Sequence, residues 1–294
     1  MLPPLIRRLL SALTFVTGLA SSSVFAAQPL KLDVYNPGAD AFFPVTSVLV
    51  SGEKDAILID AQFGTTQAAQ LVEKVRQSGK RLTTIYISHG DPDYYFGLQT
   101  LTRAFPQAKV VASAPTVAHI EKTKADKLAF WGKTLPAQVP SAVIVPQVLA
   151  GGALELEGHA LQIIGLDGPQ SDRTFVWIPS LKAVLGGVVL ANNIHVWMAD
   201  TQSSESHRAW LATLATIDRL GPRIVIPGHF LPGSGDALQA ATFTANYIRD
   251  FDRQTPLAED SAQLISAMKA LYPDLGEEGS LELSAKVAKG EMQW

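Results

Sequence analysis

Residues 85–97 read Ile85-Tyr86-Ile87-Ser88-His89-Gly90-Asp91-Pro92-Asp93-Tyr94-Tyr95-Phe96-Gly97, an apolar strand that runs straight into a loop of potential metal ligands. His89, Asp91 and Asp93 stand at i, i+2 and i+4. Alternate positions after a strand end can point the same way, so these three side chains can converge on one ion. Gly90 lets the backbone bend, Pro92 stiffens the turn, and Gly97 precedes a helix that begins at Leu98. The stretch also fits a plainer structure, with Asp91-Pro92-Asp93 as a polar turn and Tyr94-Tyr95-Phe96 as a helix start packing its rings on the core.

The other elements follow from periodicity. Leu30 to Tyr35 is a strand, and Thr46–Val50 and Ala56–Asp60, with polar residues only at the bend between them, form a hairpin. A helix over Thr65–Ser78 carries Ala68, Val72 and Val75 on one face. Strands at Leu82–Ile87 and Lys109–Ala112 alternate with helices at Leu98–Phe105 and Thr116 to about Leu135, the pattern of an α/β layer. Pro136, Pro140 and Pro146 punctuate a crossover to the second half of the fold. Short apolar strands at 153–156, 160–164, 174–178 and 183–185 predict a second sheet. A helix over Ser204–Leu220, a strand over Arg223–Ile226 and helices at Asp236–Asp252 and Ser261–Tyr272 complete the chain.

Composition sets limits on all of this. With 294 residues, 47% hydrophobic and 17% charged, the chain can bury a sizeable core. A formal net charge of −3, with the lysines and arginines dispersed, leaves no footprint for nucleic acid. Arg7 and Arg8 precede the apolar run Leu9–Ala20, and Ser21 to Ala26 supplies small residues, which predicts a secretory signal over 1–26, cut after Ala26. The run is shorter than the roughly 20 residues a membrane span needs, so no stable membrane insertion is expected after cleavage. The remaining residues, 27–294, read as one domain, periplasmic or secreted. No cysteine is present, so any metal must sit on His, Asp, Glu or Tyr.

The loop resembles the His-x-His-x-Asp-His signature of the metallo-β-lactamase fold superfamily, in altered form. His89 matches the first His and Asp93 the Asp, while Asp91 and Tyr94 stand where the second and last His would be. A second match is Ile224-Val225-Ile226-Pro227-Gly228-His229, with His229 at the C-terminal His position. Asp60, closing an apolar strand, is similar to the strand end that lies beneath the superfamily's metal site, and equally fits a turn cap before Gly64. The resemblance covers most of residues 40–235. It implies an α+β fold, a four-layer αβ/βα sandwich with two sheets face to face and helices outside.

The resemblance also implies a site with gaps. The loop Gly165–Asp172 contains no histidine where a third His is due, leaving Asp167, or else Leu166, at that position. The bridging acid that follows a strand as Gly-Asp is replaced by Gly186-Gly187. One divalent ion on His89, Asp91, Asp93, His229 and Asp167 is therefore expected instead of a di-zinc centre. Zinc is the metal by resemblance, and the oxygen-rich donors also suit manganese or iron. The implied activity is hydrolysis of a small ester, lactone, amide or related small-molecule substrate by a metal-activated water that Asp93 orients. The alternative is a metal-poor binding protein that kept the pocket and lost the chemistry. His195 reaches the mouth of the site or is a hydrogen-bonded loop residue. Trp131, Trp177 and Trp197 wall a pocket or fill the core. His119, His159 and His207 read as solvated.

Overall fold

The computed structural model describes residues 28–233 and 237–294. The predicted signal segment, 1–26, and the start of the helix expected from Asp236 lie outside the described residues. The first half of the chain runs β1 (Lys31–Tyr35), β2 (Ser47–Ser51), β3 (Asp55–Ile59), α1 (Thr65–Gln77), β4 (Arg81–Ile87), α2 (Pro92–Tyr95), α3 (Leu98–Ala104), β5 (Lys109–Ala112), α4 (Ala114–Thr134) and β6 (Gln147–Val148). Its strands pair in sequence order, β1-β2-β3-β4-β5-β6. The expected hairpin is present, with Val48 opposite Ile59, and from β3 onward the pairs are parallel.

The second half runs β7 (Ala153–Leu156), β8 (His159–Ile164), β9 (Phe175–Ile178), β10 (Ala183–Leu185), β11 (Ala191–Asn192), α5 (Ser204–Leu220), β12 (Ile224–Ile226), β13 (His229–Phe230), α6 (Ala240–Gln254), α7 (Ser261–Leu271) and α8 (Glu278–Ala288). Five strands form a sheet in the order β12-β10-β9-β8-β7, and β11 pairs with β13.

Strand alternation builds the layers. In β3, Ile57 and Ile59 join Val176, Ile178 and Leu185 between the sheets. Ala56 and Leu58 face the other way, into the cluster under α1 and α3 with Leu71, Val75 and Leu101. In β9, Phe175 and Trp177 point outward, packing with Trp210, Leu214, Tyr247 and Leu264 of the second helical layer. Helices, two sheets and helices therefore stack as the four-layer αβ/βα sandwich.

Two boundaries differ from expectation. The helix α4 begins at Ala114, before Thr116, because the Ser113 side chain accepts from the Thr116 N–H and Pro115 occupies its first turn. The proline-punctuated stretch is not the crossover. It stays on the first half, where Val139, Val143 and Val145 pack on the helical core, and β6 then pairs with β5. The chain passes to the second sheet only between β6 and β7. The helix α8 was not foreseen, because its buried residues Leu281, Ser284 and Ala285 make a weak apolar stripe.

Candidate active site

The platform is the end of β3. Asp60 is buried with φ 64°, in the left-handed region. It accepts from the Ser88 N–H at 2.8 Å and from the Ser88 hydroxyl at 2.7 Å. This carboxylate holds the end of β4 and so fixes where the following loop starts. Burial pushes its pKa up to about 7, against the pull of the Ser88 hydrogen bonds.

His89 follows immediately. Its Nδ1 lies 3.0 Å from the Asp172 carbonyl oxygen and its Nε2 3.0 Å from Asp91 Oδ2. A carbonyl and a carboxylate both only accept, so the ring donates from both nitrogens and is an imidazolium in this arrangement. Burial works against that charge, but the charge and hydrogen bond of Asp91 outweigh it and raise the His89 pKa. Burial also opposes ionisation of Asp91, yet His89, then Lys127, hold its carboxyl well below the usual carboxylate range. Lys127 of α4 forms an ion pair with Asp91 Oδ1.

Asp93, in the first turn of α2, accepts from His229 Nε2 at 2.7 Å. The Tyr94 hydroxyl lies 3.0 Å from His229 Nδ1. Burial, then the charges of Asp93, Asp60 and Asp91, push the Tyr94 phenol well above its ordinary pKa. It therefore keeps its proton and donates it to Nδ1, and His229 donates in turn to Asp93. Tyr94, His229 and Asp93 form one satisfied chain.

Sequence reasoning missed two cations. One is Lys127, on a helix whose orientation no local pattern gives. The other is Arg173, buried in the loop just before β9, with its guanidinium 4.4 Å from the Trp210 ring centre. Its charge lowers the pKa of both His89 and Tyr94, which places it electrostatically within the cluster.

These residues do not fit the expected ion site. Among the described residues, no three His, Asp or Glu side chains are grouped to hold one ion. A ligating imidazole needs a free lone pair, and the hydrogen bonds of His89 and His229 use both nitrogens of each ring. Asp91 is neutralised by Lys127, and Arg173 adds further positive charge. Asp167 is exposed on the loop between β8 and β9 and is not brought to the cluster. Gly187 offers no acid, and the next side chain, Val188, lines the cavity with apolar atoms.

The cluster closes one end of a cavity of about 290 Å³ lined by Asp91, Asp93, Tyr94, Lys127 and His229 together with residues of both halves. His195 is buried, lines the cavity and hydrogen-bonds the Tyr247 hydroxyl at 3.0 Å, which is the hydrogen-bonded of its two expected readings. Trp131 and Trp197 wall the cavity, whereas Trp177 packs in the core.

The helix histidines need correcting. His207 is buried, with Nδ1 2.5 Å from Asp252 Oδ1. His119 is part-buried beside the cluster, 3.7 Å from Asp172 and 4.0 Å from Asp91. His159 is half-buried and hydrogen-bonds the Gln28 carbonyl. For His207 and His119 the sequence shows the helix but not the neighbouring residues that meet the ring.

Glu277 was also missed. Gly276 pairs with the segment just after β11, through a bridge to Ile194 and a 2.8 Å bond from the His195 N–H to the Gly276 carbonyl. Glu277 takes φ 60° there and lines the cavity.

Compared with known proteins, the chain matches the family described as the Metallo-beta-lactamase superfamily over residues 40–229. Among solved structures it is similar to the metallo-beta-lactamase family protein TTHA1429 from Thermus thermophilus. The TM-score is 0.60 at 18% identity, covering 88% of this chain and 91% of that one. The metallo-beta-lactamase from Pontibacter korlensis gives a TM-score of 0.50 at 17% identity, covering 76% and 100%. The DIM-1 metallo-beta-lactamase gives 0.51 at 17%, covering 76% and 99%. At such identities the likeness is one of fold. The uncharacterized protein YobT of Bacillus subtilis (strain 168) is 38% identical over 73 residues, which are 25% of this chain and 31% of that protein. The match thus spans less than a third of that relative.

Proposed function

The chain belongs to the metallo-beta-lactamase superfamily, and from that premise we propose that it is a periplasmic or secreted hydrolase of a small ester, lactone, amide or related substrate, with Asp93 as its base. The fold is the hydrolase-like one of the superfamily, whose members generally bind divalent metals, usually zinc. The donor set of this chain does not suit that centre, so the reading assigns the chemistry to side chains alone.

The observation that carries it is the 2.7 Å hydrogen bond from His229 to Asp93 Oδ2 at the polar end of the cavity. It orients the carboxylate and leaves Oδ1 to take a proton from a water. As the water oxygen bonds to the substrate carbonyl carbon, the carbonyl oxygen gains negative charge. Lys127, which lines the cavity, spends one donor on Asp91 and directs another to His119 Nε2 at 3.4 Å, which leaves its third N–H to meet that oxygen. When the tetrahedral intermediate collapses, the bond to the leaving oxygen or nitrogen breaks and Asp93 returns its proton to that atom. A carboxylate base contributes about 10²–10⁴-fold, so reactive esters and lactones should turn over before amides.

The test is turnover of aryl esters, lactones, anilides and nitrocefin by the purified protein, with and without chelator. Turnover that persists in chelator and disappears in Asp93→Asn supports the reading. Turnover that requires an added divalent ion overturns the metal-free assignment. The full pairing of Asp91 by His89 and Lys127 favours a second reading, a binding protein without hydrolysis. Ligand binding with no turnover of any of these substrates would establish it.

A further inference from the structure

Four of the five tryptophans of the chain, Trp131, Trp197, Trp210 and Trp294, line the cavity. Such walls suit a flat apolar body, and the volume of about 290 Å³ lies at the small end of ligand sites. The charge on the walls is not balanced. Among the described residues, five carboxylates line the cavity against a single lysine; Asp91 is paired by that lysine and by His89, and Asp93 accepts from His229. Asp126, Asp200 and Glu277 have no ion-pair partner among the described residues.

Asp200 is held in an unusual way. Its Oδ2 accepts from Trp197 Nε1 at 2.8 Å and its Oδ1 from Trp294 Nε1 at 2.6 Å, and the two indoles meet edge to face at 5.1 Å. Two indole donors fix the carboxylate between aromatic rings without neutralising it. Glu277 reaches the same cavity from a left-handed backbone position, a conformation that costs a non-glycine residue free energy. Desolvation, then the charge of Asp91, raises the Asp200 pKa against the opposing pull of Arg173 and His89, and desolvation raises that of Glu277 against the pull of His229.

We propose that the cavity takes a ligand with an aromatic or other apolar body and an organic cation, an amine or quaternary ammonium, seated between the tryptophans and the carboxylates of Asp200 and Glu277. Ring faces attract a cation through their quadrupole, and the two carboxylates, which form no ion pair among the described residues, supply the countercharge. The inference rests on the cavity of the proposed function being the ligand site, and it names the class of compound that site selects. It does not depend on hydrolysis.

The probes are benzyltrimethylammonium, benzyl alcohol and benzoate, compared by titration calorimetry and tryptophan fluorescence with the whole protein. The cation should bind about tenfold more tightly than the alcohol, and benzoate more weakly than either. Asp200→Asn, which can still accept an indole hydrogen bond, and Glu277→Gln should each weaken the cation several-fold and leave the alcohol unchanged. Circular dichroism checks that both variants fold. Equal binding of cation and alcohol, or a preference for benzoate, overturns the proposal. So does cation affinity that neither folded variant reduces. Preferential cation binding without turnover of any ester would leave this inference standing while the hydrolytic reading falls. Turnover of neutral esters with no cation preference would do the reverse.

Discussion

Lys127 reaches from α4 to Asp91, so the acid in the second place of the ligand-like motif is the partner of a lysine, with His89 on its other oxygen at 3.0 Å. A carboxylate paired in this way is satisfied without an ion. After dialysis against metal-free buffer, the protein should hold well under one zinc, manganese or iron per chain by elemental analysis. A chelator should leave its melting temperature unchanged, because no bound ion contributes by linkage. Lys127→Ala should destabilise by about 1–3 kcal/mol, since it leaves a mostly buried carboxylate short of a cation. A stoichiometric ion in the parent protein would refute this account of the site.

The His89–Asp91 pair also predicts a pH window. The His89 pKa is raised from 6.5, so its contribution is complete below pH 6.5 and is lost as pH rises through the higher folded value. The Asp91 pKa is lowered from 3.8, so its contribution is complete above pH 3.8 and is lost as pH falls through the lower folded value. The pair therefore stabilises most between those two unfolded values. Urea midpoints of the parent minus those of His89→Gln should peak in that interval and shrink toward pH 9. A difference that grows with alkaline pH would show that His89 is neutral in the folded protein.

Asp60 gives the opposite dependence. Its folded pKa is raised to about 7 from 3.8, so stability is lost as pH rises through that range. Asp60→Asn keeps an acceptor for the Ser88 N–H, places a donor toward its hydroxyl and tolerates φ 64°. The variant should gain on the parent between pH 4 and pH 8, by on the order of 4 kcal/mol at most. Asp60→Ala, which strands both Ser88 groups, should be destabilised at every pH. If the Asn variant tracks the parent across pH, Asp60 is not the group that titrates.

Much of the fold was legible because its signals are local. Continuous apolar runs such as Ala56–Ile59 and the apolar face of Ala68, Val72 and Val75 identify elements whatever packs on them. The loop from His89 to Tyr94 and the distant His229 were legible as site residues for the same reason, being motifs at strand ends. What turned those residues from a metal centre into a hydrogen-bonded cluster was not local. Lys127 reads as one charge on a polar helix face, and only the tilt of α4 over the loop brings it to Asp91. Arg173 reads as a loop residue until Trp210, on α5, comes to lie beneath its guanidinium. Glu277 and Trp294 lie beyond the stretch that carries the resemblance, and they meet the cavity through the docking of a helix with a weak apolar stripe.

The position of the missing bridging acid gives the last prediction. Restoring it as Gly187→Asp looks natural from the sequence, but the backbone there forbids it. Gly187 has φ 47°, and a Cβ would stand 2.9 Å from both Ser88 Oγ and the Thr174 carbonyl oxygen. From behind, Gly228 packs so tightly that a Cβ on it would fall on the Gly187 carbonyl. An aspartate at 187 combines left-handed strain with overpacking, a loss of about 2–4 kcal/mol, and it turns toward Ser88 instead of the cavity. Val188 already lines the cavity. Val188→Asp combined with Lys127→Ala, which adds a carboxylate and removes the competing cation, should retain more zinc after dialysis than Gly187→Asp. Melting temperature and metal content of the two variants decide the matter. A Gly187→Asp protein as stable as the parent and loaded with zinc would mean that the backbone between β10 and β11 can refold around an ion.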